Sequence, residues 1–211
     1  MSTRQLQTAA ERRADVIAAA LTAFARSGYF GANTTEIARD AGISQAYLYR
    51  LYDSKEALFV ATMLAAKDIL VARINWLVAR APDGEPVGVA LQRAATEVPP
   101  ESDTEAATVM LHAAAAAHVE PIGQAVRECF RSQVDTLAAL GANEDEIRAY
   151  LAWSQYANVL RAAGLSQASP DARDRTLLPQ TPYPAPSRCL VQSHQSAARF
   201  ACPLGECSTT H

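Results

Sequence analysis

Residues 34–52, TTEIARDAGISQAYLYRLY, constrain this chain more than any other stretch. They read as two short helices joined by a glycine turn. Asn33 or Thr34 caps the first helix, and Glu36 stands three residues after Asn33, the spacing of a capping box. Ile37 and Ala41 fall four apart on one face. Gly42 then stops the helix, because glycine takes positive φ without steric cost. Ile43 turns inward, Ser44 caps the second helix, and Leu48 and Leu51 point back into the same core. Ala38 is small where the two helices cross. An ordinary helical hairpin shares the glycine turn, but the order of apolar, small and glycine positions predicts a helix-turn-helix.

The flanking sequence supplies what this pair needs for a core. A helix is predicted from about Thr8 to Ser27, with Ile17, Ala20, Leu21 and Phe24 as its stripe and Gly28 as its end. Tyr29 and Phe30 are expected to pack back beneath it, completing a three-helix head. A fourth helix opens at Asp53–Ser54, with Glu56 as a second capping-box partner, and runs to about Arg80. APDGEP is a turn; helices follow over about 86–98, 104–119, 120–140 and 143–164, the last capped by Asn143 with Glu146. With 49% apolar residues, rich in alanine and leucine, the chain is expected to be all-α. No apolar run is long enough to cross a bilayer and the start, MSTRQLQTAAERRADV, has no signal-peptide core, so a soluble cytoplasmic protein is expected.

Net charge is −3, which does not suggest a nucleic-acid binder until it is divided. Residues 1–60 hold seven basic and six acidic side chains, or +1, which leaves −4 for the rest. This mild asymmetry agrees with a DNA-binding head. From about Ser169 periodicity is lost. Six of the eleven prolines and three of the four cysteines lie there, so disorder is expected. This tail is either a genuine extension or the product of a reading-frame change.

GYFGANTTEIARDAGISQAYLYRLYDSKEALF, with the preceding AALTAFARSGY, resembles the amino-terminal domain of the TetR family of transcriptional regulators over roughly residues 10–65. The likeness rests on Phe24, Gly28–Tyr29, Thr34, Ile37–Ala38, Ala41–Gly42, Leu48–Tyr49, Ser54–Lys55 and Leu58–Phe59. Tyr52 departs from the family's commoner phenylalanine, and Tyr47 from its small residue or threonine. The resemblance implies three regions. Residues 8–53 would form the helix-turn-helix DNA-binding domain, and 54–168 a helical ligand-binding and dimerisation domain reached through the long fourth helix. Residues 169–211 would be an atypical tail.

On the second helix of the motif, Gln45 and Tyr47 are expected to face the major groove, with Ala46 small enough for close approach. Gln45 suits adenine, and Tyr47 a thymine methyl or a phosphate. Tyr49, Arg50, Thr34, Thr35 and Ser44 are expected on phosphates, although Tyr49 serves equally well as core. Lys55 resembles the family's backbone-clamping lysine. One head reads few base pairs, so a homodimer on a pseudo-palindromic operator is expected. Leu137, Ala138, Trp153, Tyr156, Ala157 and Leu160 are its candidate interface, with intramolecular core as the alternative.

The family's mechanism implies an inducer, a small molecule whose identity the sequence does not give. Trp76, Met110, His112, Cys129, Phe130 and Trp153 are its candidate lining, or else ordinary core. The expected function is therefore a ligand-responsive regulator of transcription, with repression the expected sense and activation the alternative within it. Neither a cofactor nor a metal is expected. His112 and His118 lie six apart, off the spacing of a helical metal pair, and Cys189, His194, Cys202, Cys207 and His211 in the tail are loosely spaced. No enzyme is expected either, since nucleophile motifs, phosphate loops and HExxH are all missing. A helical enzyme without a recognisable motif, and a regulator made defective by its altered carboxy terminus, are the alternatives.

Overall fold

The computed structural model describes residues 8–96, 101–165 and 168–178. Every regular element among them is an α-helix: α1 Ala9–Gly31, α2 Thr34–Asp40, α3 Gln45–Leu51, α4 Lys55–Ala79, α5 Val87–Thr96, α6 Glu101–Ala115, α7 Glu120–Ala139, α8 Glu144–Ala162 and α9 Ala172–Leu177. None of these helices is long and apolar enough to cross a membrane.

Caps written in the sequence set most boundaries. Thr8 and Glu11 form a reciprocal capping box at α1, and Asn143 and Glu146 another at α8. Ser44 and Ser54 each accept a hydrogen bond from a backbone N–H of the helix that follows. Two expected boxes do not form. Asn33 accepts from the Thr35 N–H alone, while Glu36 turns to Arg26 at 3.6 Å. Glu56 is taken by the Tyr29 hydroxyl, and Ser54, not Asp53, caps α4. Gly42 ends α2 at φ 66° in a Schellman arrangement, its N–H on the Arg39 carbonyl and the Ile43 N–H on the Ala38 carbonyl.

Four further expectations need correction. α1 does not stop at Gly28. It kinks there, at φ 64°, and continues to Gly31. Phe30 does not pack beneath it but is 65% exposed, whereas Tyr29 is buried. α6 begins earlier than expected and ends at Ala115, because residues 116–119 are needed as the turn into α7. The stretch after Ser169, expected to lack structure, holds α9, capped by Asp171. The remainder of the tail, including its cysteines and histidines, lies outside the described residues.

The largest apolar cluster is centred where α1, α2, α3 and the start of α4 meet. Phe24 and Phe59 form an edge-to-face pair at 4.7 Å, with Ile37, Leu48, Leu58 and Met63 around them. The cluster passes without interruption to Val109 of α6 and Ile122 and Cys129 of α7. A second cluster, Ile74, Leu91, Leu137, Ala142 and Ile147, closes the far end of α4 against α5, α7 and α8. α4 thus belongs to both ends of the molecule.

Candidate nucleic-acid interface and ligand cleft

α3 is short, and its one fully buried residue, Leu48, anchors it to the core. The helix therefore presents its other faces outward. Gln45, Ala46 and Arg50 are exposed, Tyr47 is half-buried and Tyr49 is 40% exposed. Tyr49 is thus not core. Its hydroxyl lies 3.1 Å from Thr34 Oγ1, which also accepts a hydrogen bond from Gln45 Nε2 at 3.1 Å. Thr34 itself is buried, so its hydroxyl is committed to holding α3 against the start of α2 rather than lying open to solvent. Ser44 Oγ is likewise engaged, accepting from the Tyr47 N–H at 3.2 Å. Thr35 is exposed.

Lys55, at the first position of α4, is half-buried. Its Nζ donates to the Phe30 carbonyl at 3.5 Å and lies 5.2 Å from the Tyr29 ring centre, and burial lowers its pKa. The sequence reading missed the bond beside it, from the Tyr29 hydroxyl to the Glu56 carboxylate. Burial first and Glu56 second push the Tyr29 phenol up to about 12, and the Tyr29 hydrogen bond is the main cause that lowers the Glu56 carboxyl. This pair and Lys55 fasten the end of α1 to the start of α4. A tyrosine and a glutamate 27 residues apart leave no local spacing from which to infer the contact.

A cleft of about 80 Å3 lies between α4, α5, α6, α7 and α8. One wall is apolar, with Leu70, Val71, Ile74 and Leu77 of α4 and Met110 of α6. The other carries Gln133 of α7 and Tyr150, Ser154, Gln155, Asn158 and Arg161 of α8. Of the six residues expected to line a ligand site, Met110 lines this cleft and the other five lie outside its lining. Trp76 is 46% exposed and stacked under the Arg80 guanidinium at 4.2 Å. His112 Nε2 lies 3.2 Å from the Ala25 carbonyl at the α1 kink. Cys129 is buried in the first cluster, Phe130 faces outward, and Trp153 sits edge-on to Tyr156. What decides the lining is which face of each helix turns inward.

The candidate interface residues also divide. Leu137, Ala157 and Leu160 are buried within the chain, Trp153 is half-buried, and Ala138 and Tyr156 are exposed. Phe130, Val134 and Ala138, at i, i+4 and i+8, form an outward apolar stripe on α7, and Tyr156 and Val159 do the same on α8. Among the described residues no three His, Cys, Asp or Glu side chains are grouped to hold a metal ion.

Residues 16–62 match the model of the family described as bacterial regulatory proteins, tetR family. No curated protein matches the chain. Among solved structures, a transcriptional regulator from Rhodococcus sp. Rha1 is similar at TM-score 0.60 and 24% identity, covering 81% of this chain and 92% of its own. A transcriptional regulator described as putative, from Pseudomonas aeruginosa PAO1, is similar at TM-score 0.58 and 21% identity, covering 82% and 89%. A third, from Saccharomonospora viridis and solved in complex with choline, reaches TM-score 0.57 at 17% identity, covering 80% and 94%. These likenesses show that the fold of the whole described chain is one that such regulators adopt.

Proposed function

We propose that this chain, whose residues 16–62 match the model of the tetR family of bacterial regulatory proteins, is a ligand-responsive repressor that binds a pseudo-palindromic operator as a homodimer. In this reading residues 8–53 bind DNA and 54–168 bind ligand and partner. Gln45, Ala46 and Tyr47 read bases, while Thr35, Tyr49, Arg50 and Lys55 meet phosphates and Thr34 and Ser44 hold α3 in place for them.

The observation that carries the reading is α4. It is one helix of 25 residues, about 37 Å long. Its first turns pack in the head core through Leu58, Phe59 and Met63, and its last turns line the cleft through Leu70, Ile74 and Leu77. A ligand that fits the cleft in only one position of α4 favours that position by its differential affinity, and the heads follow. The structure solved with choline supports a small-molecule site in this fold.

The test is fluorescence anisotropy with DNA from upstream of the chain's own gene, at low and moderate salt. Binding should be sequence-dependent and fall steeply with salt. Changing Gln45 and Tyr47 together to Ala should weaken it about tenfold or more while leaving helical content intact. A well-folded dimer indifferent to sequence among genomic fragments would sink the proposal.

A further inference from the structure

Tyr150 and Gln155 of α8 and Gln133 of α7 line the cleft as half-buried, uncharged polar side chains, and no described residue hydrogen-bonds any of the three. Their neighbours differ. Arg73 lies 3.7 Å from Asp103, Lys67 lies 3.1 Å from Asp68, and Arg161 donates to Asn158 Oδ1 at 2.9 Å, so the ions of the lining are already engaged. Ser154 donates to the Leu151 carbonyl of its own helix. Polar groups held away from bulk water cost free energy until a partner meets them. Burial also raises the Tyr150 phenol above its ordinary pKa, so a negative charge is poorly solvated at this point of the wall. Leu70, Ile74, Leu77 and Met110 add hydrocarbon to the lining. At about 10–15 Å3 for each water-sized group, the 80 Å3 of the cleft holds roughly six. That is the size of one ring.

We propose that the cleft takes an uncharged molecule of single-ring size, with a hydroxyl or carboxamide hydrogen-bonded to Tyr150 and its hydrocarbon against α4 and Met110. This rests on the reading of the cleft as the ligand site and names the class of ligand. A phenol hydroxyl both donates and accepts, and so does a glutamine amide, so a ligand group that does both can meet either. A carboxylate or an ammonium would give up its hydration for a wall whose existing ions keep their own partners. A pure hydrocarbon would fill the space and leave Tyr150, Gln133 and Gln155 unpaired.

The test uses the full chain and probes built on one ring: benzamide and benzyl alcohol as the uncharged polar pair, benzoate and benzylammonium as the ions, and toluene as the hydrocarbon. Binding is measured by titration calorimetry and thermal melting. At least one of the uncharged pair should bind and raise Tm, with both ions and toluene bound about tenfold more weakly or not at all. Tyr150→Phe, which removes only the hydroxyl, should weaken that probe about fivefold or more and leave toluene binding unchanged. An ion or toluene binding as tightly as the better uncharged probe, an undiminished affinity in Tyr150→Phe, or no binding by either benzamide or benzyl alcohol would each overturn the proposal. The comparison among probes needs no variant, so it stands even if Tyr150→Phe folds poorly. An uncharged probe that binds without releasing DNA would leave this inference intact and remove ligand-controlled repression. An ion that releases DNA while neither uncharged probe binds would do the reverse.

Discussion

Thr34 shows how one hydroxyl organises the surface proposed to meet DNA. Placed between Gln45 Nε2 and the Tyr49 hydroxyl, it fixes two side chains of α3 from α2 before any DNA is present. Preorganisation of this kind lowers the ordering cost of binding. The Tyr29–Glu56 bond acts similarly one step away, and it makes a prediction in pH. The folded pKa of Glu56 is depressed, so its contribution is complete above the ordinary carboxylate range and is lost as pH falls through the folded value. That of Tyr29 is raised to about 12, so its contribution persists through neutral pH and is lost only as pH rises toward that value. Tyr29→Phe should therefore cost about 1 kcal/mol at pH 7, and the gap to the parent should close in acid. Urea melts at pH 7 and pH 3.5 would check it, and a gap unchanged at low pH would show that the bond contributes little.

At the scale of the element, α1 shows what a single glycine permits. Gly28 kinks the helix at positive φ, and a Cβ there would lie 2.8 Å from His112 Nδ1 of α6. The backbone conformation and the space both exclude a side chain. His112 in turn reaches the Ala25 carbonyl, so the kink is where the head meets the body. Gly28→Ala should destabilise by about 1–3 kcal/mol, combining positive-φ strain with the displaced imidazole. Adding His112→Ala should recover part of that loss, and equilibrium denaturation of the two single variants and the double variant measures the coupling. Strictly additive losses would mean that His112 is not what the new methyl meets. α8 is the complementary case, a helix with two working faces. Its polar stripe lines the cleft and its apolar residues Tyr156 and Val159 face outward beside the stripe of α7.

For the molecule as a whole, those outward stripes are the surface on which the proposed homodimer would form. Phe130, Val134 and Ala138 of α7 with Tyr156 and Val159 of α8 give two adjacent apolar ridges, the kind of self-complementary patch an isologous helical interface requires. Val134→Glu, at an exposed position, should leave the monomer fold intact and shift the dimer dissociation constant upward by about a hundredfold, since it buries a charge without a partner. Sedimentation velocity across a concentration series reads this directly, and a chain whose mass is indifferent to Val134→Glu would place the partner elsewhere.

The local sequence determined the elements and the kind of head they build. Asn33, Ser44, Ser54 and Asn143 mark helix starts because a side-chain oxygen satisfies N–H groups only a few residues away. Gly42 marks a stop because positive φ is a property of that residue alone. The three-helix head was legible for the same reason, since its spacing and its glycine turn lie within about forty residues. The cleft was not. Whether Arg161 or Trp76 faces it depends on how α8 and α4 are rotated against α5, α6 and α7, and that rotation is set by contacts such as Ile74 on Leu137 and Ile147, which join residues more than sixty positions apart. Periodicity names the apolar side of a helix, but α8 has apolar residues on two sides, and only packing decides which of them turns inward.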